Sequence, residues 1–408
     1  MSTSPAATTQ PAQSNRILSL DQFRGYTVVG MLLVNFIGAF DACPRILKHW
    51  HDYNSYADTI MPQFLFAVGF AFRLTFGRRA QLQGLASAYG RVVRRMLGLV
   101  LVAVIIYQVP PRAATWEKLT QMSLVEIFGE PLKRHWFATL MHIAVTGLWL
   151  LPVIRSSTFV RLLWMVGSGL AHVGLSYWFN FEWVNTGANG IDGGPLGFLT
   201  WTIPATIGTF ACDAVASARG RPNLGGMLGW SVVIMLLGYG LSCGTRFYDV
   251  PENQVAELRG QKLATHPVVP ETAAVKAKVK EGQVSSFLAE PPFVPPPGAD
   301  FRKWNYWMMS QRAGALSYLT FSAGFSLFVY VLFYVACDIW GLKLGFFQTF
   351  GTNALLAYII HDMVGTALER FIPKDSPDWY MWAGVLVFFF INWLFLRHFE
   401  KQGVMLRV

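Results

Sequence analysis

The sequence predicts an all-α, polytopic integral membrane bundle of about ten helices, and three observations predict it. Hydrophobic residues make up 53% of the 408 residues and charged residues only 14%, against about 25% charged in an ordinary soluble domain. Mean hydropathy is +0.38. Apolar runs of about 20 residues, long enough to cross a bilayer as helix, recur along the chain. So many runs argue against a soluble domain with an unusually large core.

The runs lie near 18–40, 59–77, 92–109, 136–154, 159–179, 196–217, 225–243, 314–339, 345–368 and 379–397. Residues 1–15 are polar and read as a disordered tail. The first run is too long to be a signal-peptide core. It is broken near its start by Asp21 and Arg24 and carries Asn35 in its far half. The second opens at Asp58 and passes through Pro62. A basic cluster, Arg78, Arg79, Arg91, Arg94 and Arg95, joins the second run to the third. His142 lies in the fourth run, and Asn353, His361 and Asp362 lie in the ninth.

Residues 16–243 and 314–397 therefore form the membrane core, and 398–408 a tail. The segment 244–313 between the seventh and eighth runs contains KAKVKEG and EPPFVPPPGAD and has no run that could span. A loop this long is functional or disordered. It reads either as an extracytoplasmic lid over a site or as a dispensable insertion. The four cysteines lie far apart with no metal-like or C-x-x-C spacing, and no metal site is expected.

Lysine and arginine counts in the short loops set orientation. With the N-terminus inside, the inner set holds 15, including Arg16, the Arg78–Arg95 cluster, Arg219 and Arg407, and the short outer loops hold 8. Both termini are then expected in the cytoplasm, across a bacterial inner membrane. The net charge of +10 follows from this distribution, which leaves nucleic acid out. Membrane lipid is an expected partner, and a homodimer is compatible with the chain.

In this orientation Asn35, His49, His51, Asp58, His142, Asn353, His361 and Asp362 gather just under the extracytoplasmic face. Polar groups at such depth are costly unless satisfied or used. Each also has a structural reading. Asp58 suits a helix N-terminus. Asn35 and Asn353 suit interhelical hydrogen bonds. Asp21 and Arg24 suit a pair one turn apart, His142 a packed core histidine, and His49 and His51 solvated interfacial positions. The arginine cluster suits either cofactor phosphates or anionic lipid.

The segment RILSLDQFRGYTVVGMLLVN, the pair Lys48-His49 and the run YADTIMPQFLFAVG resemble heparan-alpha-glucosaminide N-acetyltransferase and its bacterial relatives. Weaker echoes are GPLGFLTWTIPATIGTF from Gly194 and GTNALLAYIIH from Gly351. The resemblance covers 16–78 strongly and 92–397 weakly, without the 244–313 insert. It implies a transmembrane acyltransferase that moves an acetyl group from cytoplasmic acetyl-CoA to an amino sugar or envelope glycan on the far side. The essential histidine carries over to His49, or to His51 in a shifted alignment, and the Asn near the thioester to Asn35. An imidazole titrates near neutrality and suits a base or nucleophile, with Asp58 orienting it or holding the sugar ammonium. An Asn amide suits a developing oxyanion. His142, Asn353, His361 and Asp362 are the expected acceptor-binding residues, and Arg24, Arg78, Arg79, Arg94 and Arg95 the expected coenzyme-binding ones. A small-solute transporter and a non-catalytic membrane protein remain the alternatives.

Overall fold

The computed structural model describes residues 17–216 and 221–406. The expected tail 1–15, and Arg16, Arg219 and Arg407 of the orientation count, lie outside the described residues. The described helices are α1 (Leu18–Ile37), α2 (Tyr56–Gln83), α3 (Leu85–Ile106), α4 (Trp116–Gln121), α5 (Leu124–Glu130), α6 (Thr139–Leu150), α7 (Thr158–Leu175) and α8 (Phe181–Asn185). They continue with α9 (Phe198–Ala216), α10 (Leu224–Ser242), α11 (Thr272–Glu281), α12 (Leu316–Tyr334), α13 (Gly345–Thr352), α14 (Ala354–Glu369) and α15 (Asp378–Lys401). Among the described residues the only β pairing is two isolated bridges, Asp249 with Arg302 and Leu263 with Trp304.

The class is all-α and membrane-type, with fewer clear spans than the hydropathy pattern predicts. Among the described residues five stretches are long and apolar enough to cross a membrane: Tyr56–Gln83, Thr158–Asn185, Leu224–Tyr248, Leu316–Ile339 and Asp378–Lys401. A sixth arises if Leu124–Trp136 and Thr139–Val153, bent by 92°, form one broken span. The shortfall has local causes. Asp21, Gln22, Arg24 and Asn35 dilute α1, and Arg91, Arg94 and Arg95 occupy the first half of α3. The ninth run breaks at Asn353, whose backbone (φ −118°, ψ 48°) separates α13 from α14.

Glycines set the closest helix approaches. A Cβ on Gly69 of α2 would fall 1.9 Å from the Ala205 carbonyl oxygen of α9, and one on Gly208 2.1 Å from that of Phe66. Gly238 and Gly324 bring α10 and α12 together in the same way, and Gly25 brings α1 onto the Phe347 backbone of α13. Small residues permit such contacts where lipid supplies no hydrophobic drive between helices. Around them Phe23, Phe66, Phe70 and Tyr330 interlock as a fully buried aromatic cluster. The outward faces of α7, α10 and α15 are apolar and exposed, as at Leu170, Leu236 and Leu386.

The insert 244–313 is folded and tied to the bundle. Its buried Arg302 donates to Asp249 (2.6 Å) and Glu290 (2.5 Å), and Lys303 caps the Leu258 and Gln261 carbonyls at 2.7 and 2.6 Å. Phe293 N donates to the Asn54 carbonyl at 3.0 Å. The insert thus rests on the loop that holds His49 and His51.

Candidate active site

Helix α2 begins with a capping box. The Ser55 hydroxyl accepts from the Asp58 backbone, and the Asp58 carboxylate accepts from Ser55 N at 2.9 Å. This local motif plants Asp58, 1% exposed, at the head of the helix. Its second oxygen meets His49 Nδ1 at 2.8 Å, and the His49 side chain keeps 35% of its surface. A carboxylate already accepting backbone N–H groups accepts from His49 too. Nδ1 therefore carries the proton, and Nε2 is left with a free lone pair. Burial pulls the His49 pKa down, but the Asp58 hydrogen bond and the charges of Asp58 and Asp192 outweigh it and hold it above the ordinary histidine value. His51 goes the other way. Burial and the nearby Arg312 charge bring it down to about 4, and its buried Nδ1 has no hydrogen-bond partner. Of the two histidines, His49 is the one equipped as a base.

Asp192 and Gln311 carry no motif. Asp192 is buried at φ 54°, a left-handed conformation uncommon for a non-glycine residue. Gly193, at φ 81°, follows it. Trp201 Nε1 holds the Asp192 carbonyl at 2.9 Å, and Gln311 Nε2 of the insert donates to its carboxylate at 3.1 Å. Burial pushes the Asp192 carboxyl up to about 7, partly offset by Gln311 and His49. A second carboxylate thus acts on His49, from a loop more than a hundred residues downstream.

Asn35 and His361 form a second polar group. Asn35 is exposed although its neighbours Val34 and Phe36 are buried, and its Nδ2 lies 3.4 Å from His361 Nε2. Asp362 Oδ1 is 3.1 Å from the same nitrogen, and His361 Nδ1 meets the Tyr358 carbonyl at 2.5 Å. The Tyr358 hydroxyl in turn meets that of Tyr107 at 2.5 Å. Asp192 acts electrostatically on both tyrosines, so the two polar groups share one end of the bundle.

Residues 16–211 match the family described as heparan-alpha-glucosaminide N-acetyltransferase, catalytic. Over those residues, just under half of its length, the chain is similar to that family. Among curated proteins nothing matches it. The match points to a transmembrane acyltransferase-like function. The matched region contains Asn35, His49, Asp58, His142 and Asp192, whereas His361, Gln311 and the insert lie beyond it.

Two expected acceptor-binding residues are placed differently. His142 is fully buried between the rings of Phe137 and Trp201, and Gly197 abuts it. Neither ring nitrogen makes a hydrogen bond of good geometry, so it packs behind the site. Asn353 does not join the histidines. It sits in the α13–α14 break, eight residues or about 12 Å of helix before His361, and its Nδ2 donates to the Val404 carbonyl of the C-terminal segment at 3.1 Å. The break spends its amide on the chain end.

The arginines lie at the opposite end. Asp58 and Arg78 are twenty residues apart on α2, about 30 Å of helix. Arg24 approaches Asp21 at 3.5 Å, and Arg24 and Arg79 both lie near enough to Arg95 to repel it. Arg91 donates to Gln83 at 3.1 Å, and with Arg94 it lines a surface cavity of about 490 Å³ that also involves Ser87 and Gly90. Arg24 and Asn35 are eleven residues apart on α1, three turns plus about 20°. They therefore share one helix face, about 16 Å apart.

Proposed function

We propose that the protein transfers an acetyl group from acetyl-CoA, held by its phosphates at the arginine end, to the amine of an amino sugar at the histidine end. The His49–Asp58 pair inside the family match carries this reading. Arg24 and Asn35 mark the two ends of α1 that the donor must join, with Val28 and Met31 packed between them. The Asn35 amide donates to the thioester carbonyl oxygen as charge develops there. The acceptor amine attacks the carbonyl carbon, the C–S bond breaks with coenzyme A as leaving group, and His49 Nε2 takes the amine proton. Asp58 holds the imidazole tautomer and the charge it gains. Asp192 accepts a hydrogen bond from the incoming neutral amine beside His49.

His49 serves as the base of a direct transfer, with Nδ1 held by Asp58 and Nε2 free for the amine proton. The arginine end faces the cytoplasm in this reading, and the acceptor is an envelope or recovered amino sugar. The test is acceptor-dependent release of coenzyme A by purified protein in detergent, with glucosamine as trial acceptor beside His49→Ala. Loss of release in the variant supports the reading. Release that persists in the variant would sink the histidine assignment, and failure to bind acetyl-CoA would favour a transporter.

A further inference from the structure

Arg312, at the end of the insert, is a guanidinium in an unusual position. It is only 9% exposed, and among the described residues its side chain makes no hydrogen bond or ion pair, with Nε buried and unpartnered. An ionised group so placed is costly unless something neutralises it. Trp304 stacks on it, 5.2 Å from ring centroid to guanidinium, which fixes its plane without using its N–H groups. Gly193 N donates to its carbonyl at 2.9 Å, pinning it beside Asp192. Asp52 and Arg134 are the charged groups that act on it, and Asp52 is also shared with Arg45. The exposed Arg134 adds a second positive charge rather than a partner.

We propose that Arg312, with Arg134, forms an anion subsite next to His49 that takes an acidic substituent of the acceptor sugar. The substituent is a phosphate, sulfate or carboxylate, planar or tetrahedral oxyanions that a guanidinium fork binds through two N–H groups. This deepens the transferase reading of the same site. The insert, outside the family match, selects which amino sugar enters. Its Gln311 positions Asp192 toward the amine, and its Arg312 takes the acid.

The experiment measures binding without turnover, by calorimetry on full-length protein in detergent. The ligands are glucosamine, glucosamine 6-phosphate, glucosamine 6-sulfate and muramic acid, which separate the three oxyanions. At least one acidic sugar is expected to bind about tenfold or more tighter than glucosamine, and Arg312→Gln to erase that difference. Arg134→Gln, at an exposed position, is expected to cut the preference about twofold to fivefold and needs no repacking. Equal binding of all four sugars overturns the subsite, as does an equal loss for neutral and acidic sugars in Arg312→Gln. If Arg312→Gln does not fold, an unchanged preference in Arg134→Gln overturns the assignment and a reduced one upholds it. Acidic preference without acetyl transfer to any sugar would reject the transferase and leave the subsite standing. Transfer without acidic preference would do the reverse.

Discussion

His49 and Asp58 meet at 2.8 Å through Nδ1 and Oδ1, and the same carboxylate closes the capping box that starts α2. One acidic side chain thus fixes both where the helix begins and which nitrogen of the imidazole is free. Its two duties can be separated by mutation.

His49→Ala is expected to lower the turnover of acetyl-CoA by about 10²–10⁴, the range for loss of a positioned base. His51→Ala should stay within a few-fold of the parent, since that ring is held neutral and makes no hydrogen bond to the dyad. Asp58→Asn keeps the shape but presents an amide to Nδ1, and its loss in kcat should approach that of His49→Ala. Asp58→Ala should in addition lower thermal stability by about 1 kcal/mol through the lost cap. Steady-state kinetics and thermal unfolding in detergent separate the two effects.

The acid limb of the rate profile follows His49. A base works unprotonated, and its pKa is raised, so activity should fall on acidification at a pH above the ordinary 6.5 of histidine. Replacing Gln311 with alanine frees Asp192 from its donor and leaves the dyad intact, and should move kcat/KM for the amine. Asp58→Asn removes the main influence that raises His49 and leaves burial, so its residual activity should persist to lower pH. A limb that does not move in Asp58→Asn would reject the dyad.

His51 makes the opposite contribution to stability. Its folded-state pKa, about 4, lies below the unfolded value of 6.5, so its neutral form is favoured by folding. That stability is complete above about 6.5 and is lost progressively as pH falls toward 4. Thermal unfolding across this window should show a shallower acid loss in His51→Phe than in the parent.

Arg24→Gln, Arg79→Gln and Arg95→Gln are each expected to raise KM for acetyl-CoA about tenfold with little change in kcat, since they cluster at the other end of the helices from the dyad and would act on phosphates. The parent's KM should rise with ionic strength more steeply than that of the triple variant.

Arg302→Met removes the buried partner of Asp249 and Glu290 and leaves them the longer pairs with Arg246 inside the insert. The expected cost is about 2–3 kcal/mol, below that of a fully buried pair because both carboxylates keep contact with water. Limited proteolysis should cut the 244–313 segment faster, and acceptor affinity should fall with it, because Gln311 and Arg312 depend on the same fold.

Much of the architecture was legible in the sequence because its causes are local. Membrane-length apolar runs give helices, and Ser55 followed three residues later by Asp58 gives a helix start. Even His49–Asp58 was within reach, being nine residues apart and carried by family-like motifs. The errors were also local in cause. The pattern at 345–368 looks like one continuous helix, yet Asn353 interrupts it, because a hydropathy window averages over a single backbone kink. A shared depth for His142 and Asn353 likewise says nothing about their neighbours.

The sequence by itself determined the membrane class, the polar residues worth watching and the family likeness. Only the tertiary structure decided that Asp192 bears on His49, that Gln311 holds Asp192, and that Arg312 stands buried and unpaired beside them. Those residues lie in an irregular loop and an insert, where no periodicity or cap marks a side chain's direction. Their meeting depends on the helix bundle bringing positions more than a hundred residues apart to one end, and on glycines such as Gly69 and Gly208 letting α2 and α9 close. Long-range packing of that kind leaves no short-range signal in the order of amino acids.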